Sequence, residues 1–135
     1  MSKVRYGIIG IGRMRSIHAK KLLGGKDKNS TLAAVCDIEP ERKQWAQKNL
    51  GGVTFHDNYK NLIADPNVDV VVVATPHYDH PVIGMQALQA GKHLLIEKPA
   101  GVYTEKVRAL NEEAAKHPKQ VFGIMYNQRT NPLYR

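Results

Sequence analysis

Two glycines and an acid carry the first chemical signal in this 135-residue chain. Gly10-Ile11-Gly12-Arg13-Met14-Arg15 holds the first two glycines of a G-x-G-x-x-G pattern. The first permits a tight turn out of a strand, and the second lets a pyrophosphate approach the backbone. The N-terminus of the helix beyond, beginning at Arg13 and Met14, offers unpaired N–H groups and a partial positive charge to an anion. Asp37 lies 25 residues after Gly12, against a usual spacing of about 20. A carboxylate there can accept both hydroxyls of an adenosine ribose and repels a 2′-phosphate, so NAD is expected over NADP. Arg42 is the residue able to rescue NADP binding. The third glycine position holds Arg15, where a small residue normally allows close helix–strand packing, and weakened cofactor binding is expected from it. Two bland readings stand beside these: a glycine turn without a ligand, and a surface aspartate ending a strand.

Other constellations carry less. His77-Tyr78-Asp79-His80 contains a His-x-x-His pair but lacks the further ligands of a structural zinc, so no metal site is expected. Cys36 reads as a small packing residue in a buried strand. Neither a nucleophile elbow nor a Gly-x-x-x-x-Gly-Lys-Ser/Thr loop is present, which argues against acyl transfer and against an ATP P-loop. The formal charge is +8, and residues 1–28, with eight basic side chains and the single acid Asp27, hold a net +7 of it. A basic stretch of this kind raises a nucleic-acid reading, but no aromatic interleaving or zinc spacing supports one. A solvated, Lys-rich helix face and loop is the plainer account, and a local field favouring a phosphorylated ligand is a third.

The elements that would position these residues follow from patterning. Strands are expected over 4–9, 31–36, 53–55, 68–74, 93–96 and 121–126. Helices are expected over 13–23, 40–49, 59–64, 81–91 and 104–116. Val70-Val71-Val72-Val73 within the fourth strand has the unbroken β-branched character of a central parallel strand covered on both faces. Pro40 suits a first helical position, Asn58 a cap before residue 59, and Thr104 a cap for the last helix. Inward faces are expected at Met14, Ile17 and Leu22, at Val82, Met85 and Leu88, and at Val107, Leu110 and Ala114, with Trp45 partly buried. The alternation of strands and helices gives an α/β fold: a doubly wound parallel sheet of six strands in the order 3-2-1-4-5-6, the Rossmann arrangement. One cysteine leaves no internal disulfide, and the longest apolar run is far below the roughly 18 residues of a membrane helix. The chain reads as soluble and cytoplasmic.

The sequence resembles the N-terminal domain of the Gfo/Idh/MocA (glucose–fructose oxidoreductase/inositol dehydrogenase) family. The residues that carry the likeness are Gly7-Ile8-Ile9-Gly10-Ile11-Gly12-Arg13-Met14 with His18, Asp37 followed by Pro40-Glu41-Arg42, and Ala74-Thr75-Pro76 with His80. Ala90-Gly91-Lys92-His93-Leu94-Leu95-Ile96-Glu97-Lys98-Pro99 and Asn127-Gln128-Arg129-Thr130-Asn131-Pro132 complete it. The resemblance implies an NAD(P)-dependent oxidoreductase acting on a CH–OH donor, a sugar, inositol or related polyol. It implies cofactor contacts at Gly10, Gly12, Arg13, Met14, Asp37, Thr75, Pro76, His80, Glu97 and Lys98. Lys98 would act at the reacting centre, where an ammonium stabilises a developing alkoxide as hydride leaves. From residue type alone, Lys98 is a surface lysine before a proline turn. Residues 1–126 would form the dinucleotide domain and 127–135 the start of a crossover to a substrate domain absent from this chain. Little turnover and a tendency to form homo-oligomers are therefore expected. A non-catalytic NAD(H)-binding redox sensor is the alternative, with neither nucleic acid nor membrane as a partner.

Overall fold

The computed structural model describes residues 2–12, 15–25 and 27–134, with the side chain of Arg15 also outside the described set. The expected helix start at Arg13 and Met14 therefore lies outside the described residues. Six strands, β1 (Val4–Ile9), β2 (Ser30–Cys36), β3 (Thr54–His56), β4 (Val70–Val73), β5 (His93–Glu97) and β6 (Phe122–Met125), form one sheet in the order β3-β2-β1-β4-β5-β6. Every neighbouring pair is parallel. The helices are α1 (Arg15–Leu23), α2 (Pro40–Asn49), α3 (Tyr59–Ala64), α4 (His80–Gln89) and α5 (Thr104–Ala115). This is the six-strand doubly wound architecture that the alternating pattern predicts.

Both parities of the central strands are buried, which is why those strands carry no polar alternation. Ile8, Val35 and Val72 pack toward one face with Ala19 of α1 and Ala46 of α2. Ile9, Ala34, Cys36, Val71 and Val73 pack toward the other with Leu62 of α3, Ala87 of α4 and Leu110 of α5. A parallel sheet covered on both faces leaves its strand C-termini as the open edge of the fold, where the β1, β2 and β4 loops converge.

Four local expectations are corrected. In α1 the buried residue is Ala19, whereas Ile17 is 48% exposed. In α4 the inward residues are Ile83, Gly84, Ala87 and Leu88, and Val82 is turned outward. The α4 backbone comes close to the sheet at Gly84, where a Cβ would meet Ile96 Cδ1 at 2.9 Å and Leu94 Cδ2 at 3.1 Å. Thr104 is the first residue of α5 rather than its cap, and Tyr103 occupies the capping position without a side-chain bond. The fourth strand is shorter than expected: Val68 precedes it in a turn and Ala74 already belongs to the loop. Asn58 does cap α3, accepting the Lys60 N–H at 2.9 Å.

Candidate functional site

The turn after β1 depends on a backbone conformation open to few residues. Gly10 has φ +89°, and a Cβ placed there would lie 2.7 Å from the Ala74 carbonyl oxygen. Glycine alone meets both demands without strain. The turn is fastened on two sides, since the Gly10 N–H donates to Cys36 O at 2.8 Å and Ala74 N–H to Ile9 O at 2.8 Å. At the close of β2, the Asp37 carboxylate completes the attachment. Its Oδ2 accepts the Ile11 N–H at 3.0 Å and its Oδ1 accepts the Glu39 N–H at 3.0 Å. One side chain thus ties the glycine turn to the loop that opens α2, and each carboxylate oxygen keeps accepting capacity for a further donor.

Above this turn lies a cavity of about 630 Å³ at the C-terminal ends of β1, β2 and β4. Gly10, Gly12, Asp37, Thr75 and Pro76, all singled out from the sequence, line it. Its apolar walls come from Ile9, Ile38, Val82 and Ile83. This explains why Ile38 stands 86% exposed beside a polar loop, and why Val82 turns away from the core. Tyr78 and Lys106 form part of the rim, with the Tyr78 ring 6.0 Å from that of Tyr103. Residues following the C-terminal ends of parallel strands face the crevice, a signal that would have found Ile38 and Tyr78. Lys106, which arrives from α5, gave none. Arg42 also lines the cavity, with its Nε 3.6 Å from Glu39 Oε2. Cys36 closes part of the floor; burial, followed by the charges of Asp37 and Asp57, pushes its thiol up to about 12.

The remaining candidates sit elsewhere. Glu97 ends β5, with Oε1 3.8 Å from His18 Nε2 of α1 and Oε2 accepting the Lys98 N–H at 3.2 Å. Lys98 is exposed, and its bond to Pro99 is cis. Neither Glu97 nor Lys98 lines the cavity, but both sit at the same strand-end edge. His80 differs from the expectation of a cofactor-facing side chain: it is fully buried, with Nδ1 2.8 Å from Pro99 O and Nε2 2.8 Å from Thr75 O. It binds the two loops from beneath. Among the described residues no group of three or more His, Cys, Asp or Glu is placed to hold a metal ion. No helix among them is long and apolar enough to cross a membrane.

A parallel sheet in this order, with a glycine turn and an acid at its central crevice, defines a doubly wound domain of the dinucleotide-binding type. Residues 4–124 match the Gfo/Idh/MocA oxidoreductase family, described as having an NAD-binding Rossmann fold, and the chain belongs to that family. It is 34% identical over 133 residues to inositol 2-dehydrogenase 1 of Saccharopolyspora erythraea, covering 97% of this chain and 39% of that protein. It is 34% identical over 121 residues to the NADP(+)-dependent D-xylose 1-dehydrogenase of Hypocrea jecorina, covering 82% of this chain and 31% of that protein. The crystal structure of scyllo-inositol dehydrogenase from Lactobacillus casei with bound NAD(H) and scyllo-inositol superimposes with a TM-score of 0.92 at 28% identity, over 99% of this chain and 39% of that one. The chain therefore spans between 31% and 39% of the length of these relatives.

Proposed function

We propose that the cavity takes an NAD-type dinucleotide and that the chain is the cofactor-binding part of an oxidoreductase moving hydride between nicotinamide and a sugar- or inositol-like alcohol. The carrying observation is the Asp37 carboxylate, fixed by two backbone N–H groups at the side of a cavity floored by Gly10 and Gly12. Its remaining acceptor positions suit a vicinal diol, and its charge disfavours a 2′-phosphate. The apolar walls at Ile38 and Val82 suit the faces of a purine ring. The residues present therefore fit the dinucleotide. Arg13 and Met14 are proposed to contact the diphosphate, and Thr75 and Pro76 to border the nicotinamide ribose.

When bound, the nicotinamide supplies the hydride acceptor. Lys98 is the proposed catalytic residue, its ammonium placed to hold the alcohol oxygen as negative charge develops there. Glu97 is proposed to orient the nicotinamide ribose and, through the Lys98 N–H, the start of the loop. Residues 1–126 are proposed as the cofactor domain. Beyond them, two short 3₁₀ turns, Asn127–Thr130 and Pro132–Tyr134, lead away from β6. Lys98 is the one residue assigned here to the substrate, so the 135-residue chain alone is proposed to bind nucleotide with little turnover. Calorimetric titration with NAD, NADH and NADPH tests the reading. Binding of NADH with NADPH weaker by about tenfold or more is expected, a difference of about 1.4 kcal/mol. Tighter binding of NADPH would reverse the assignment of Asp37, and no binding of any of the three would overturn the reading.

A further inference from the structure

The segment leaving β2 brings three charged side chains to the cavity: Asp37, Glu39 and Arg42. Asp37 is occupied by its two backbone donors and its proposed diol, whereas the chemistry proposed above does not use Glu39. The Glu39 backbone is fixed. Its N–H donates to Asp37 Oδ1 at 3.0 Å, and its carbonyl accepts the Arg42 N–H at 3.0 Å and the Lys43 N–H at 3.3 Å. Glu39 holds the capping position of α2, yet its side chain makes no capping bond. Short side chains such as Asp, Asn and Ser suit that role. The longer glutamate reaches one turn onward instead, where Oε2 lies 3.6 Å from Arg42 Nε. The pair is uneven in burial, with the Arg42 side chain 30% exposed and that of Glu39 63%. No described residue accepts a hydrogen bond from either Nη group of Arg42.

This geometry bears on which dinucleotide the cavity accepts. Arg42 is the one cation that the segment from Asp37 to Arg42 contributes. A guanidinium is the side chain best shaped to grip a phosphate with two parallel N–H groups. With a carboxylate against its Nε edge, however, its charge is already offset. A 2′-phosphate would meet two carboxylates for one guanidinium, and across the cavity Asp79 and Lys106 add one charge of each sign. We propose that Glu39 is a specificity-determining residue: paired with Arg42, it withholds that guanidinium from a 2′-phosphate, so the preference for NAD over NADP belongs to the pair as well as to Asp37. This rests on the reading of the cavity given above. A ribose with a free 2′-hydroxyl brings no charge to this corner, so the pair weighs mainly on the phosphorylated nucleotide. It works by leaving the wrong ligand's charge unpaired. An exposed ion pair contributes little to folding stability, so it can be taken apart in a folded chain.

The test is calorimetric titration of the full 135-residue chain with NADH and with NADPH. Four proteins are compared: the unmodified chain, Glu39→Gln, Arg42→Gln and the double variant, with thermal unfolding in the absence of nucleotide to verify that each is folded. The readout is the ratio of the two dissociation constants within each protein, in which a change of cavity shape that weakens both nucleotides cancels. Glu39→Gln is expected to move the ratio about tenfold toward NADPH. Arg42→Gln alone should move it away from NADPH by about threefold or less, because the guanidinium is already engaged. The double variant has the net charge of the unmodified chain and no guanidinium to release, so its ratio should return close to the original, a coupling between the two positions. A ratio unmoved by Glu39→Gln would overturn the proposal. So would a shift that survives in the double variant, since Glu39 would then act through its own charge and not through Arg42. NADH binding with an unmoved ratio removes only the role of the Glu39–Arg42 pair. Absence of binding by either nucleotide to all four proteins removes the cofactor assignment, and this inference with it.

Discussion

Asp37 performs two tasks with one carboxylate, and the first explains how the second is prepared. By accepting from Ile11 N–H and Glu39 N–H, it stays fixed at the cavity wall without a ligand, so little side-chain freedom remains to be lost on binding a diol. Replacing it with Asn keeps the shape but turns one acceptor oxygen into an NH₂ group facing a backbone N–H. Asp37→Asn is therefore expected to lose about 1–2 kcal/mol of stability by denaturant unfolding. By calorimetry it should bind NADH about tenfold more weakly and narrow its preference over NADPH. The place of this acid was readable from its position after a strand and a glycine turn, but its backbone partners were not, because they depend on how two loops approach in space. Cys36, next to it, is 2% exposed with its thiol pushed up to about 12 by burial. Since the thiolate is the reactive form, maleimide labelling at neutral pH should be negligible in the folded chain and fast in denaturant. Rapid labelling of the native protein would show that the β2 end opens.

At the scale of elements, strands were more legible than helix faces. The valine run of β4 and the order of the sheet follow from patterns that burial on two faces makes unambiguous. The misassigned positions, Ile17 in α1 and Val82 in α4, are apolar residues without a core role. Val82 is apolar because it lines the cavity, so periodicity alone counts it with the wrong neighbours. Ile17 is exposed in a helix whose one described buried residue is the small Ala19. Nothing in the structure explains its apolar character. Close approach also separates two glycines that look alike in sequence. At Gly10 an added Cβ meets backbone, Ala74 O at 2.7 Å and Ala74 C at 2.8 Å, with φ at +89°. At Gly84 it meets only side-chain ends, Ile96 Cδ1 at 2.9 Å being the nearest. Gly10→Ala should therefore destabilise by about 1–3 kcal/mol and weaken NADH binding. Gly84→Ala should cost about 1 kcal/mol or less by thermal unfolding, because branched side chains repack and Ala is the better helix former. A larger loss at Gly84 than at Gly10 would contradict the view that the β1 turn is set by backbone contact.

For the molecule as a whole, the distribution of ion pairs predicts how it responds to acid. Asp69 takes a two-pronged grip from Arg5, with Nε to Oδ2 at 3.0 Å and Nη2 to Oδ1 at 2.9 Å, joining the start of β1 to the turn before β4. Asp65, at the end of α3, accepts from His56 Nε2 of β3 at 3.0 Å when that nitrogen carries its proton, and Glu113 of α5 does the same with His117 at 2.9 Å. All three carboxyls are held below the ordinary carboxylate range, chiefly by these side-chain hydrogen bonds. A group whose folded value lies below its unfolded value contributes stability above the unfolded value and loses it as pH falls through the folded one. Unfolding free energy should therefore be steady from neutrality down to about pH 5 and fall below about pH 4. The chain already carries a formal +8, so protonating its acids also adds repulsion between the Lys and Arg side chains. Asp69→Asn should be less stable at neutral pH and show a shallower acid decline, because the residue no longer gains a proton on unfolding. Denaturant midpoints measured across that range check it: a variant curve parallel to the unmodified one would mean that the Arg5–Asp69 link contributes nothing to the acid response.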